Sequence, residues 1–140
     1  MGLLLIVGDS RADELFGRYP AVKTGSAAKI DCDFAAVIAG KNAVLEVSAA
    51  LGVIVDGESF RQKLPRGIQL ITCGLSSKNT VSITSRTTGR LTLSLNRSIR
   101  TVNGVCEPLE EPIEVGEVAD EYDVMAAFAA GLLLGIQNRI

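Results

Sequence analysis

Near its start the chain reads Leu3-Leu4-Leu5-Ile6-Val7-Gly8-Asp9-Ser10, which has the length and punctuation of a buried strand that turns into a helix. Residues 34–39 repeat the apolar run, and Gly40-Lys41-Asn42 follows as turn and cap. Residues 43–51 then predict a helix that has Gly52 as its C-cap. Two successive strand-to-helix units are typical of a parallel sheet that is covered on both faces.

Shorter elements complete the first half of the chain. Asp9 or Ser10 can cap a short helix over residues 12–17, because a side-chain oxygen there accepts the free N–H groups of the first turn. Residues 53–55 predict a brief strand, and residues 58–64 predict a helical turn that Pro65 stops. A fourth strand is expected over residues 68–73.

The second half changes its periodicity. Residues 80–85 and 90–96 alternate apolar with polar side chains and predict a hairpin with one buried face. Asn103-Gly104 is a strong two-residue hairpin signal, because both residues tolerate the positive φ of such turns. A short strand is expected near residues 113–115. The final helix, over residues 120–136, is apolar over most of its circumference, which predicts burial within the domain or at a subunit contact.

Composition favours one soluble domain over residues 1–140. Hydrophobic residues make up 47% of the chain and aromatic residues 4%, which predicts a core of aliphatic side chains. Three widely spaced cysteines do not form a disulfide framework, and they favour buried thiols in a reducing cytoplasm. The start of the chain does not resemble a signal peptide, and the longest apolar run is too short to span a bilayer. We expect a cytoplasmic protein without a membrane partner.

Charge is distributed unevenly along the chain. Residues 61–100 hold eight basic and no acidic side chains, and residues 107–123 hold eight acidic and no basic ones. These runs have two interpretations: a phosphate-binding surface with a cation site, or two solvated faces that complement each other. Between Phe60 and Tyr122 the sequence has no aromatic residue that could stack on a nucleic-acid base. We therefore expect no nucleic-acid partner.

Catalytic signals are sparse. Gly8-Asp9-Ser10 resembles the nucleophile block of the GDSL hydrolases, but those enzymes need a histidine base and this chain has no histidine. Cys73 lacks a base for the same reason, and the five lysines lie in polar contexts. Asp31 and Asp33 could bind a metal ion, although turn chemistry explains the same pair of carboxylates. The sequence favours a protein with no catalytic residue, metal ion or cofactor.

Several segments taken together resemble the later part of the central domain of the Mur ligases. They are Asp31-Cys32-Asp33-Phe34-Ala35-Ala36-Val37-Ile38, Leu70-Ile71-Thr72-Cys73-Gly74-Leu75, and residues 79–85, 89–95 and 122–136. This resemblance implies a bacterial protein with a three-layer α/β fold. Its sheet would be mostly parallel in the N-terminal half, with an antiparallel β extension and a C-terminal packing helix.

The resemblance does not extend to the ligase machinery. Mur ligases hold ATP in a Gly-Lys-Thr/Ser phosphate loop, and this chain has no GxxxxGK[ST] motif. The asparagines at the start of the family's helix, one of which faces the nucleotide base, correspond to Asp120 and Asp123. A carboxylate cannot supply the hydrogen-bond donor of an amide. The resemblance therefore implies a ligase-like core without ATP binding.

Two functions remain open at this point. The first is a non-catalytic module that associates with a second copy or with another protein, through the apolar final helix or the edge of the hairpin. The second is a phosphate or carboxylate site at the carboxyl ends of the parallel strands, where open α/β sheets bind ligands. Ordinary turn composition also explains the candidate residues of such a site. They are Asp9, Ser10, Ser76, Ser77 and Lys78.

Overall fold

The computed structural model describes residues 4–16, 21–30, 34–47, 50–115 and 120–136. These residues form twelve strands, one α-helix and one 3-10 helix. The strands are β1 Leu4–Val7, β2 Ala21–Thr24, β3 Ala27–Ile30, β4 Phe34–Ala39, β5 Val44–Val47, β6 Ala50–Asp56, β7 Gln69–Cys73, β8 Val81–Thr87, β9 Arg90–Leu95, β10 Ile99–Thr101, β11 Gly104–Cys106 and β12 Leu109–Glu114. The 3-10 helix is Ala12–Phe16 and α1 is Glu121–Leu134.

Eight of the described strands form one mixed sheet in the order β12-β9-β8-β7-β6-β4-β1-β2. Within this sheet the neighbours β2, β1, β4, β6, β7 and β8 pair in parallel, whereas β8 with β9 and β9 with β12 pair antiparallel. Two smaller sheets accompany it, a parallel β3–β5 pair and an antiparallel β10–β11 hairpin. The described chain is therefore built mainly of strands.

The first half is wound like the turns of a β-solenoid. After β2 and after β4 the chain bends at a corner and continues as β3 and β5, which pair with each other in register. The corners are themselves hydrogen bonded, because the N–H of Gly40 donates to the Val7 carbonyl (2.7 Å) and that of Val44 to the Ser26 carbonyl (2.8 Å). Successive turns therefore stack on one another and are joined by hydrogen bonds between their bends.

The expected fold class is wrong. Residues 43–51, which we expected to form a helix, contain β5 and the start of β6, so no second helix layer covers the sheet there. In β5 the side chains alternate, with Leu45 and Val47 buried and Val44 exposed. That period of two suits a strand with one covered face. The three-layer α/β fold implied by the resemblance to the Mur ligases does not describe this mainly β structure.

The core of the sheet consists of rows of aliphatic side chains across neighbouring strands. Ile6, Ile38, Ile54 and Ile71 lie side by side in register and are fully buried on the face toward α1. On the opposite face Leu5, Val37 and Val53 form a second row, which β3, β5 and residues 60–68 cover. Each buried aliphatic side chain stabilises the fold by roughly 1.5–3 kcal/mol.

Helix α1 packs across the first of these faces, and its predicted extent is confirmed. Its Asp120 cap accepts a hydrogen bond from the N–H of Asp123 (3.1 Å), and Gly135 ends it in a left-handed conformation at φ 70°. Eleven of its 14 residues are buried, because the sheet, the 3-10 helix and β10 surround it. Among the described residues, no helix is long and apolar enough to cross a membrane.

Smaller expectations divide between confirmation and correction. The β8–β9 hairpin is confirmed, and Gly89 turns it at φ 74°. The second hairpin is shifted by one residue, because Thr101 pairs with Gly104 and the loop is Val102-Asn103. The helical turn expected over residues 58–64 is not formed: a hydrogen-bonded turn covers residues 57–59, and residues 60–65 have no regular secondary structure. The sequence reading also missed β2 and β3, whose residues are mostly exposed.

Candidate functional site

The predicted site residues lie at the end of the sheet where the parallel strands have their carboxyl ends. Asp9 and Ser10 follow β1, and residues 76–78 follow β7. Strands β4 and β6 lie between β1 and β7. Three strand spacings separate the two groups by about 14 Å. The structure therefore places both groups at the same end of the sheet without bringing them together.

Ser10 acts as a connection between the start of the chain and helix α1. Its side chain is buried, its hydroxyl donates to Oδ1 of Asp123 (2.7 Å), and its oxygen accepts the N–H of Ala12 (3.3 Å). The predicted capping role of Ser10 is confirmed. Since the hydroxyl proton is held by a carboxylate, Ser10 contributes to packing at this end of the sheet, whereas Asp9 is exposed.

The start of α1 is acidic. Partial burial raises the pKa of Asp123, and the carboxylates of Asp120 and Asp9 add to the rise. Hydrogen bonds from the Ser10 hydroxyl and the Arg11 backbone act in the opposite direction on this pKa. An anionic ligand placed beside Asp9 would therefore meet three carboxylates at the helix start.

Tyr122 ties the helix to the ends of two strands. Its hydroxyl donates to the carbonyl of Ala39 at the end of β4 (2.5 Å), and the carbonyl of Ile54 in β6 lies 3.2 Å away. Burial raises the pKa of Tyr122 well above its ordinary value, which keeps the hydroxyl protonated as a donor. Sequence reasoning did not single out this tyrosine, and its position in the first turn of an apolar helix was the available signal.

The loop after β7 is organised around Asn79. The side-chain amide of this buried residue donates to the Ser76 carbonyl (3.0 Å), and the Ser76 hydroxyl oxygen accepts the N–H of Lys78 (3.2 Å). A Cβ on Gly57 or on Gly74 would overlap the Asn79 amide, so both glycines leave the space that it fills. Ser76 and Lys78 are exposed, as is Ser77 between them.

A cleft of about 340 Å³ lies on the face of the sheet opposite α1, at the ends of β4 and β6. Its apolar lining includes Val55 and Phe60, and its polar lining includes Asn42, Asp56 and Arg61. The N–H of Ala43 donates to the Gly40 carbonyl (3.1 Å) and closes a four-residue turn, of which Asn42 is the third residue. Asn42 has φ 66°, the positive value that a type II turn needs at its third residue. This cleft was not predicted, because residues 58–64 were expected to form a helical turn.

The oppositely charged runs meet in space at two points. Arg86 forms a two-bond pair with Glu121, through contacts of 2.6 and 2.8 Å, and Arg90 lies 3.3 Å from Glu114. The hydrogen bond between Arg86 and Glu121 raises the pKa of Arg86 and lowers the pKa of Glu121. These contacts favour the interpretation of the two runs as solvated faces that complement each other.

The two edge strands of the large sheet differ in how they are protected. Strand β12 carries Glu110, Glu111 and Glu114, and Pro112 lacks an N–H group, so this edge resists pairing with another strand. Strand β2 carries a single charge, Lys23, whose ammonium lies 3.1 Å from a carboxylate oxygen of Asp13.

The neighbouring residue on β2 is apolar and exposed. Val22 pairs in register with Leu5, so it extends the row of Leu5, Val37 and Val53 to the edge of the sheet. It is 51% exposed, and the β2 edge has no neighbouring strand within the described residues. This edge is the candidate surface for strand addition.

Two further candidates from the sequence are the thiol of Cys73 and the carboxylates of Asp31 and Asp33. Burial raises the pKa of the Cys73 thiol far above its ordinary value, so the thiolate needed for nucleophilic attack is not formed. No group of three or more metal-ligating side chains occurs among the described residues, and Asp31 and Asp33 lie outside them. No family model, curated protein or solved structure matches this chain. Inferences about its function therefore rest on its own geometry.

Proposed function

We propose that this domain is a non-catalytic association module that joins protein chains by adding a strand at the β2 edge. The observation that carries the proposal is the β2 edge, which has no neighbouring strand among the described residues and where exposed Val22 continues a buried apolar row. Main-chain hydrogen bonds supply affinity in strand addition, and alternate side chains supply specificity. Protein, rather than nucleic acid or a lipid surface, is the proposed class of partner.

The position of the surface differs from the two expected from the sequence. Helix α1 is enclosed by the sheet, the 3-10 helix and β10, so its apolar side chains are not available to a partner. In the β8–β9 hairpin, β9 is paired on both sides, by β8 and β12, and the exposed part of β8, residues 84–87, carries hydroxyl side chains and Arg86 instead of an apolar row. Association through β2 uses neither element.

The lack of a reactive centre supports the non-catalytic part of the proposal. The full sequence contains no histidine. The Ser10 hydroxyl donates a hydrogen bond to Asp123 and is buried, so it does not face a substrate. Cys73 is buried with a raised pKa, whereas a cysteine nucleophile needs a lowered one.

Sedimentation velocity over a wide range of protein concentration tests the association. We expect the wild-type chain to increase in mass as its concentration rises. Val22→Glu should abolish the increase, because it places a charge on the proposed contact. Val105→Glu is the matched control, since Val105 is also an exposed strand valine, at 65%. A wild-type chain that stays monomeric throughout, and that retains no partner protein, would contradict the proposal.

The cleft supports a second candidate function, the binding of a small carboxylate or phosphate. Arg61 is the cationic group of its lining, and a guanidinium suits both anions. A thermal-shift panel of short carboxylates and inorganic phosphate tests this candidate. A ligand at 100 times its dissociation constant should add about 2.7 kcal/mol of stability. Arg61→Gln should remove the shift, whereas Arg66→Gln, at an exposed arginine outside the cleft, should retain it.

A further inference from the structure

We infer that the partner at β2 is a second copy of this chain, paired antiparallel about a two-fold axis that passes between the two Val22 residues. This inference rests on the proposed association at β2 and adds the identity of the partner and the register. It follows from which main-chain groups of β2 face outward, from the charge of Lys23 and from the protection of the opposite edge.

The phase of the hydrogen bonds in β2 fixes which residues can pair outward. The Val7 carbonyl accepts the N–H of Gly40 on β4's side (2.7 Å), so the main-chain groups of Ile6 and Gly8 face β2. The Gly8 N–H is shared between the carbonyls of Thr24 (3.2 Å) and Gly25 (3.0 Å) at the bend. With Ile6 in register with Lys23, these bonds direct the main-chain groups of Thr24 toward β1. Successive residues of a strand direct these groups to opposite sides. The main-chain N–H and C=O groups of Val22 therefore also point toward β1, and those of Ala21 and Lys23 point outward, away from the sheet. The described residues supply no partner strand for those outward groups.

One antiparallel register uses all of these outward groups. With Ala21 opposite Lys23 of the second copy, and the reverse pair related by symmetry, each pair exchanges two hydrogen bonds. Val22 then lies opposite itself in a non-hydrogen-bonded pair, in which the Cα atoms are about 4.5 Å apart. The register with Lys23 opposite Lys23 would place two ammonium groups together, which is unfavourable on a sheet face. The register with Ala21 opposite Ala21 leaves Lys23 without a described partner residue.

A second copy suits this edge because the edge is complementary to itself. The two Val22 side chains meet across the axis, so the apolar row of Leu5, Val37 and Val53 in one copy continues into the same row of the other copy. An isologous contact of this kind closes after two copies. The glutamates and Pro112 on β12 protect the only other edge of the described large sheet. The expected assembly is a dimer and not a filament.

The strength of the dimer follows from its size. Strand β2 has four residues, so the contact is small and resembles the interfaces of transient complexes. We therefore expect a dimer that forms and dissociates rapidly and that depends strongly on concentration. A covalent trap is better suited to such a contact than a single chromatographic profile.

Cysteine cross-linking tests the register in a Cys106→Ser background, which removes a partly exposed thiol. Val22→Cys should form a disulfide-linked dimer under mild oxidation, because Cα atoms about 4.5 Å apart lie within the range of disulfides. Lys23→Cys should form several-fold less, because its two copies would lie diagonally, about 7–8 Å apart. Val105→Cys and the background chain measure random collision. Equal amounts of dimer from Val22→Cys and Val105→Cys would overturn the inference.

A mixture of Ala21→Cys and Lys23→Cys chains gives a second readout, which is independent of any substitution at Val22. These positions form the hydrogen-bonded pair, about 5.5 Å between Cα atoms, so the mixed dimer should exceed both homodimers. A concentration-dependent mass in sedimentation together with dominant Lys23→Cys homodimers would overturn the register and leave the proposed function standing. A wild-type chain that never exceeds the monomer mass would overturn self-association, while association with a different protein would remain measurable by partner binding.

Discussion

Replacing Gly40 by alanine is expected to destabilise the protein, because Gly40 lies against the backbone that follows β1. A Cβ at this position would lie 2.6 Å from the Asp9 nitrogen and 2.7 Å from the Asp9 oxygen. Carbon atoms in ordinary contact are about 3.5–4.0 Å apart. Since the neighbouring atoms belong to the main chain, no side-chain rotation relieves the overlap. The bend after β4 must then move away from β1, and the hydrogen bond from Gly40 to the Val7 carbonyl (2.7 Å) weakens.

The magnitude follows from three contributions. Overpacking of this kind costs about 1–3 kcal/mol. Loss of the hydrogen bond costs about 1 kcal/mol. Alanine restricts the unfolded chain more than glycine does, which offsets about 0.4–1 kcal/mol. A net loss of about 2 kcal/mol corresponds to a decrease in Tm of about 7 °C for 140 residues.

Gly25 provides the matched control, because it follows β2 at the same end of the sheet. A Cβ on Gly25 would have no heavy atom within 4 Å. Gly25→Ala should leave the stability unchanged or raise it by up to about 1 kcal/mol. Thermal and urea unfolding of both variants, followed by circular dichroism, measures the difference. Equal melting temperatures for Gly40→Ala and the wild type, or parallel shifts in the two variants, would refute the reasoning.

Three further substitutions probe how α1 is held. Tyr122→Phe should lower the free energy of unfolding by about 1–3 kcal/mol, because a buried carbonyl loses its donor; urea unfolding measures it, and an unchanged midpoint would count against the bond to Ala39. The raised pKa of Asp123 means that the protonated carboxyl group favours the folded state. The stability of the wild type relative to Asp123→Asn should therefore be greatest below the ordinary pKa of 3.8, and it should fall as the pH rises through the raised pKa. Unfolding measured from pH 3 to pH 7 tests this sign. A Cβ on Gly52 would lie 2.6 Å from Leu133, so Gly52→Ala should cost about 1–3 kcal/mol, and a double-mutant cycle with Leu133→Ala should show the coupling.

Local patterns in the sequence were sufficient where an element has its own signal. The apolar runs of β1 and β4 and the alternation in β8 and β9 gave strands close to their observed bounds. The long apolar body of residues 120–136 gave the helix α1. In each case the hydrophobic pattern within the segment identifies the element, so no long-range information is needed.

The fold class failed where local patterns are ambiguous. Residues 43–51 are apolar enough for a helix, but they form strands because β3 supplies a partner for β5. Strand β3 is itself short and mostly exposed, so its apolar pattern is weak. Partner strands far apart in sequence override helix propensity, and such partners cannot be read from one segment. The misplaced helix led directly to the wrong layer arrangement.

The candidate site was predictable only in its general position. The rule that ligand sites lie at the carboxyl ends of parallel strands led to Asp9 and Ser10, and these residues do lie at that end of the sheet. Their chemistry depends on contacts that the sequence does not encode locally, since Ser10 meets Asp123 from the other end of the chain. Around the cleft, Asn42 lies in a turn that was predicted, whereas Arg61 lies in the segment 58–64, which was expected to be helical.

The position of β1 has a consequence for how this protein is made. It is the first described strand to be synthesised, yet it lies between β2 and β4 rather than at the border of the sheet. During translation one side of β1 stays open until β2, which ends at Thr24, has left the ribosome, and the other side stays open until β4, which ends at Ala39, has followed. Nascent chains with exposed apolar strands are prone to aggregation, and contacts distant in sequence form slowly. Slow synthesis across residues 21–39 should lengthen this exposed period and increase the demand for chaperones.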